Sequence, residues 1–169
     1  VNARFEVRTG DDMRDLGEKL AAQLQRGDLV LLTGPLGAGK TTLAQGIGAG
    51  LGVRGPIASP TFIIARAHPS EVGGPDLIHV DAYRLASLDE LDHLDLDSSL
   101  DEAVTLVEWG EGRAETLADD RLHVVIDRER GGDFDADAPG SGVRTVTITG
   151  HGPRWATVQP VPGPWGATA

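Results

Sequence analysis

The chain has 169 residues, no cysteine, and 26 acidic against 15 basic residues, for a net charge of −11. That length suits one domain with a substantial core, and the missing cysteine excludes disulfides and cysteine metal sites. The acidity favours solubility and argues against a surface that grips nucleic acid unaided, since phosphate backbones are held by basic stripes. No apolar run approaches the ~18 residues of a membrane helix, so no membrane association is expected. Val1-Asn2-Ala3-Arg4-Phe5 lacks a signal peptide's apolar stretch, which points to the cytoplasm.

Phe5-Glu6-Val7 alternates and predicts a short strand. Thr9-Gly10-Asp11-Asp12 has the form of a capping box. A helix follows, with Met13, Leu16, Leu20 and Leu24 on one face, closed by the turn residues Arg26-Gly27-Asp28. Thr9 reads first as its N-cap and second as a neighbour of a nucleotide base.

Leu29-Val30-Leu31-Leu32 is an apolar run suited to a fully buried strand. Gly34-Pro35-Leu36-Gly37-Ala38-Gly39-Lys40-Thr41-Thr42 comes next, then a helical pattern at Leu43, Ile47 and Leu51. Strand, glycine-rich turn, Lys-Thr and helix form a P-loop in its proper context. The chemistry explains the composition. A phosphate chain must be surrounded by donors, and glycine keeps side chains clear of the backbone amides. The helix start adds unpaired N–H groups and the positive end of a dipole. Gly34, Leu36, Gly37, Ala38 and Gly39 therefore frame the phosphates. Lys40 reaches the β- and γ-phosphates, the Thr41 hydroxyl holds Mg²⁺, and Thr42 faces a phosphate nearer the sugar. ATP or ADP with Mg²⁺ is the expected cofactor. The later Gly50-Leu51-Gly52-Val53-Arg54-Gly55 matches a dinucleotide fingerprint literally but ends a helix instead of following a strand, so it reads as helix termination.

Ser59-Pro60-Thr61-Phe62 leads into a predicted strand at 63–67. Thr61 has two readings: a switch threonine that senses the γ-phosphate and Mg²⁺, or the cap of a proline turn. Residues 68–75 read as a loop. Leu77-Ile78-His79-Val80-Asp81 is an apolar strand that ends in an acid. Asp81 fits the Mg²⁺-holding carboxylate opposite a P-loop lysine; the plainer reading is a turn cap. Residues 89–102 are acidic, with Leu91, Leu94 and Leu96 interspersed. They predict a solvated helix with one apolar face, or a docking surface. Asp95-Leu96-Asp97 fails as a calcium loop, given Ser99 and Leu100.

Val104-Thr105-Leu106-Val107-Glu108 is a third buried strand ending in an acid, at the sheet edge where α/β ligands bind. Glu108 orients the attacking water or helps hold Mg²⁺; the plainer reading is an ion pair to Arg113. Residues 122–126 and 145–149 predict two antiparallel strands around an acidic Gly/Ala/Pro loop at 131–142. Arg128, Arg130 and Arg144 flank that loop. The five histidines show no ligand spacing. The expected fold is α/β, a single P-loop NTPase domain over 1–152 with a central mixed β-sheet flanked by helices. An irregular Pro/Gly-containing tail follows at 153–169.

The motifs together resemble the TsaE family, the small bacterial P-loop ATPases of tRNA threonylcarbamoyladenosine (t(6)A) biosynthesis. The resemblance rests on Gly34 to Thr42, Ser59-Pro60-Thr61-Phe62, His79-Val80-Asp81-Ala82-Tyr83-Arg84-Leu85 and Val107-Glu108-Trp109, in that order, and spans roughly residues 5 to 150. It implies a protein that binds ATP and Mg²⁺, docks on a TsaB–TsaD heterodimer, and meets tRNA only through that complex. Slow hydrolysis then resets the complex between turnovers. Carried over, Lys40, Thr41, Asp81 and Glu108 become the catalytic and metal residues, and Thr61 the switch threonine. Tyr83, Arg84 and Trp109 fall near the nucleotide and the docking face, and Arg144 becomes the arginine that contacts nucleotide. The acidic 131–142 insert and the tail depart from the family pattern.

Two other functions fit a P-loop: a kinase of a small metabolite, and a nucleotide-gated switch without catalysis. A GTPase is disfavoured, because the chain has neither an N-K-x-D motif nor a D-x-x-G after the Asp81 strand. No arginine finger is evident, so turnover by the chain alone should be slow.

Overall fold

The apolar runs at 29–33, 76–81 and 103–108 become adjacent strands of one seven-stranded sheet. The computed structural model describes residues 2–57, 65–81, 101–108, 119–128, 142–159, 161 and 163. In chain order these form β1 (Asn2–Val7), α1 (Gly10–Ala21), β2 (Leu29–Thr33), α2 (Lys40–Leu51) and β3 (Ala65–His68). There follow β4 (Asp76–Asp81), β5 (Ala103–Glu108), β6 (Arg121–Arg128) and β7 (Arg144–His151). The spatial order is β1-β7-β6-β2-β5-β4-β3. Strands β4, β5, β2 and β6 run parallel, whereas β3, β7 and β1 are added antiparallel, so the sheet is mixed as expected.

Burial explains the strand sequences. β5 is buried throughout, and β2 and β4 nearly so, as parallel strands covered on both faces require. β6, β7 and β1 instead alternate between buried and more exposed residues. Helices α1 and α2 lie on one face, over a core that includes Val30, Leu32, Leu77, Leu106, Val124 and Ile126.

α1 begins as predicted. Asp12 N donates to Thr9 Oγ1 at 3.0 Å and Thr9 N donates to Asp12 Oδ2 at 3.1 Å, closing a capping box. Met13, Leu16 and Leu20 are buried, and so is Leu24, although the helix ends at Ala21. A turn takes over there, because the Asp28 carboxylate accepts from Gln25 N and Gly27 N donates to Ala103 O on β5. α2 ends in a left-handed Gly52, so the Gly50–Gly55 ladder is helix termination, as read from the sequence.

The two helices touch through glycines. A Cβ on Gly46 would strike the Arg14 carbonyl, and one on Gly50 would lie 2.6 Å from Ala21 Cβ. From the opposite side, a Cβ on Gly17 would lie 2.5 Å from Leu43 O. Close backbone approach thus fixes where α2, and the loop before it, sits.

The 65–67 part of the strand expected at 63–67 belongs to β3, whose edge ladder includes His68, and residues 63 and 64 lie outside the described residues. Residues 153–159 pack onto the domain. Trp155 is in the core, and Arg154 donates from Nε and Nη2 to the Asp28 carboxylate at 3.1 and 3.0 Å. Burial raises the Asp28 pKa above its ordinary 3.8, outweighing the hydrogen bonds from Gln25 and Arg154. Because the folded-state value is raised, the contribution of Asp28 to stability is full below the unfolded value and is lost as pH rises through the folded value. Arg154→Ala strands a buried carboxylate, at a cost of about 3 kcal/mol at neutral pH. That deficit should shrink as pH falls through the raised folded-state value of Asp28, and urea unfolding over a descending pH series measures it.

Thr61, Tyr83, Arg84, Trp109, Arg113, Arg130 and the 131–141 part of the acidic loop lie outside the described residues, as do residues 89–100 of the acidic segment.

Candidate functional site at the carboxyl edge of the sheet

β2 delivers the chain to the P-loop, and the neighbouring strands close around it. Gly34 lies against β6, where a Cβ would come within 2.6 Å of Ile126 O, so no side chain fits. Gly39 caps α2 at φ +108°, a conformation that side chains disfavour. The contrast between the helices is informative. α1 begins with a full capping box, whereas α2 has neither a capping side chain nor an acid in its first turn. Its first-turn amides and dipole end are therefore suited to an anion. Leu36 is 89% exposed, and its side chain has no polar atom, which leaves its backbone N–H as its means of meeting phosphate.

Lys40 opens α2 and is buried. Its Nζ donates to the carbonyls of Gly34 at 2.6 Å and Pro35 at 3.0 Å, which holds the ammonium over the loop. Burial lowers its pKa below the usual 10.5, while the charges of Glu108 and Asp81 act in the opposite direction. Those two acids end β5 and β4 and are directly paired in the ladder, with Glu108 also opposite Leu32 of β2. Both are buried. The parallel register thus brings Lys40, Asp81 and Glu108 together from distant parts of the sequence.

Two arginines stand on the other side. Arg128 and Arg144 are cross-strand partners on β6 and β7. A Cβ on Gly37 would lie 3.7 Å from Arg128 Nη1, and one on Gly39 would lie 3.9 Å from Arg144 Cδ. Burial, then the nearby charge of Arg128, lowers the Arg144 pKa below its usual value. An acidic chain therefore concentrates positive charge at its glycine loop, where a polyphosphate would gain from it.

Thr41, Asp81 and Glu108 offer hard oxygen donors of the kind Mg²⁺ takes. Among the described residues no group of three or more His, Asp or Glu would hold a metal by itself. Mg²⁺ sites that rely on one or two carboxylates plus substrate phosphates have this character.

Lys40 lies near Asp81 and Glu108, Arg144 lies by Gly39, and Thr41 and Thr42 are in the first turn of α2, whereas Thr61 lies outside the described residues. Glu108, read as a possible partner of Arg113, has its Oε1 3.1 Å from His79 Nε2. The histidines lack metal spacing, but His79 carries a different signal: it precedes Asp81 by two on a strand and so shares its face. In the sequence Arg128 is one of three arginines that flank the acidic loop; the register places it beside Arg144.

A family model described as "Threonylcarbamoyl adenosine biosynthesis protein TsaE" matches residues 7–133, a span that holds the P-loop, Asp81 and Glu108 but not Arg144. A Streptomyces coelicolor protein named tRNA threonylcarbamoyladenosine biosynthesis protein TsaE is 59% identical over 148 residues, covering 87% of this chain and 96% of the relative. A Bacillus subtilis protein of the same name is 36% identical and covers 86% of this chain and 84% of the relative. The fold also matches a crystal structure of Bacillus subtilis YdiB, with TM-score 0.67 and 31% identity over 92% of this chain and 89% of that one. With Gly34 to Thr42, Asp81 and Glu108 at one edge of a P-loop NTPase-like sheet, and with that extent of similarity, the chain belongs to the TsaE family.

Proposed function

We propose that this chain is a Mg²⁺-dependent ATPase that serves tRNA threonylcarbamoyladenosine biosynthesis by driving or resetting a partner complex of the TsaB–TsaD kind. The observation that carries the reading is the placement of Lys40 at the mouth of the P-loop with Asp81 and Glu108 facing it in register. Family membership supports the pathway.

The roles follow from position. The amides of the loop and of the first turn of α2 bind the phosphate chain. Lys40 neutralises charge that develops on the γ-phosphoryl oxygens, the effect on which phosphoryl transfer chiefly depends. Thr41 and Asp81 would hold Mg²⁺, with Glu108 beside them, and the ion would supply positive charge against the phosphates. Glu108 orients water for in-line attack, and Thr61 is the other candidate for that task. Arg144 and Arg128 bind the nucleotide from the β6–β7 side. Without an arginine finger among the assigned residues, turnover by the chain alone is slow.

Asp81→Asn tests the metal role. The Mg²⁺ concentration for half-maximal hydrolysis should rise by about tenfold or more, while ATP binding in chelator stays unchanged. An unaltered Mg²⁺ requirement would remove Asp81 from the metal site.

A further inference from the structure

We propose that His79 is a positioning residue for Glu108, holding its carboxylate toward the reacting phosphate; this rests on the ATPase reading above. His79 Nε2 lies 3.1 Å from Glu108 Oε1, with the two side chains only 1% and 4% exposed. The contact requires Nε2–H, and the imidazole then donates to the carboxylate.

The fold fixes the donor firmly. His79 stands on β4 directly opposite Leu106, two residues before Glu108 on β5, so donor and acceptor come from neighbouring parallel strands. Leu77 and Leu106 of the same strands are core residues and His79 is itself buried, so the ring is enclosed by protein. Glu108 by contrast has three side-chain torsions to control, and Lys40 attracts its charge. A carboxylate left to itself would swing toward the ammonium, and both groups would lose their aim. The hydrogen bond on Oε1 opposes that swing and keeps Oε2 as the edge offered to water or metal. Small displacements of a water-orienting group are costly, up to about a hundredfold for ~1 Å.

His79→Leu should lower kcat about tenfold or more while ATP Kd stays within about threefold. His79→Gln, whose amide N–H reaches a similar position, should recover most of the loss. In a Glu108→Ala background, His79→Leu should change kcat by less than about twofold, because the two residues act as a unit. A merely structural role would lower kcat by the same factor in both backgrounds, and it would leave the Gln variant as impaired as the Leu variant; either result overturns the proposal. A second measurement does not depend on turnover. In ¹⁵N-histidine-labelled protein, the ring Nε2–H signal that disappears in His79→Gln should shift in Glu108→Gln. If the wild-type chain shows no Lys40-dependent hydrolysis, the ATPase reading fails. The ring signal then decides the pairing by itself, and indifference to Glu108→Gln overturns it.

Discussion

Lys40→Ala is expected to reduce ATP hydrolysis by roughly 10²- to 10³-fold, the scale of losing one group aimed at developing charge. The structure explains why so much rests on one side chain. Lys40 is buried, is held by the Gly34 and Pro35 carbonyls, and faces both Asp81 and Glu108. ATP affinity should fall as well, because the same ammonium meets ground-state phosphate. Stability should move the other way. Burial lowers the Lys40 pKa from 10.5, so the folded state binds this proton less tightly than the unfolded chain does. The charged form therefore costs stability at neutral pH, and the cost fades as pH rises through the folded value toward 10.5. Lys40→Met, which keeps the stem, should unfold at or above the wild-type temperature at neutral pH without nucleotide. Phosphate release and thermal unfolding measured on the same samples check both halves. Full activity in Lys40→Ala would remove the loop from the chemistry.

Gly46→Ala is the second large effect, and its sign is the test. Helix propensity alone favours alanine by about 1 kcal/mol in a helix interior. Here the new Cβ would strike the Arg14 carbonyl, a backbone atom that cannot rotate away. Overpacking of this kind costs about 1–3 kcal/mol, occasionally more, and we expect a net loss near the upper end. The midpoint should fall by roughly 5 °C or more, at ~2–4 °C per kcal/mol for a chain of this size. Gly10→Ala is the control: it lies in α1 with nothing within 4 Å of its Cβ position. It should gain about 0.4–1 kcal/mol by restricting the unfolded chain. If Gly46→Ala also stabilised, the close contact between α1 and α2 would be wrong.

Most of the site is legible in the sequence because phosphate chemistry leaves marks in local patterns. Gly34 to Thr42 announces a loop and a helix start together, and each apolar run ending in an acid marks a strand whose carboxyl end faces the site. The capping box at Thr9 is legible for the same reason, being complete within four residues. Pairing is not legible. Nothing local says that Asp81 and Glu108 are opposite each other, or that β6 and β7 bring Arg128 and Arg144 to the loop. His79 escapes a search for metal spacing, because its partner lies on another strand. Gly46 sits in a helix and resembles any weak helix former, since the neighbouring backbone it admits is remote in sequence. The Pro and Gly content after residue 152 predicts an irregular tail, yet Arg154 and Trp155 are anchored by Asp28 and by the core.

The central claim is that hydrolysis at this P-loop serves a protein partner. The most direct test is ATP turnover by the chain alone and with the TsaB–TsaD heterodimer from the same source, with Lys40→Ala in parallel. We predict low turnover alone, a clear change on adding the heterodimer, and loss of both in the variant. Turnover indifferent to the heterodimer, or responsive instead to a small phosphoryl acceptor, would contradict the claim and favour a metabolite kinase.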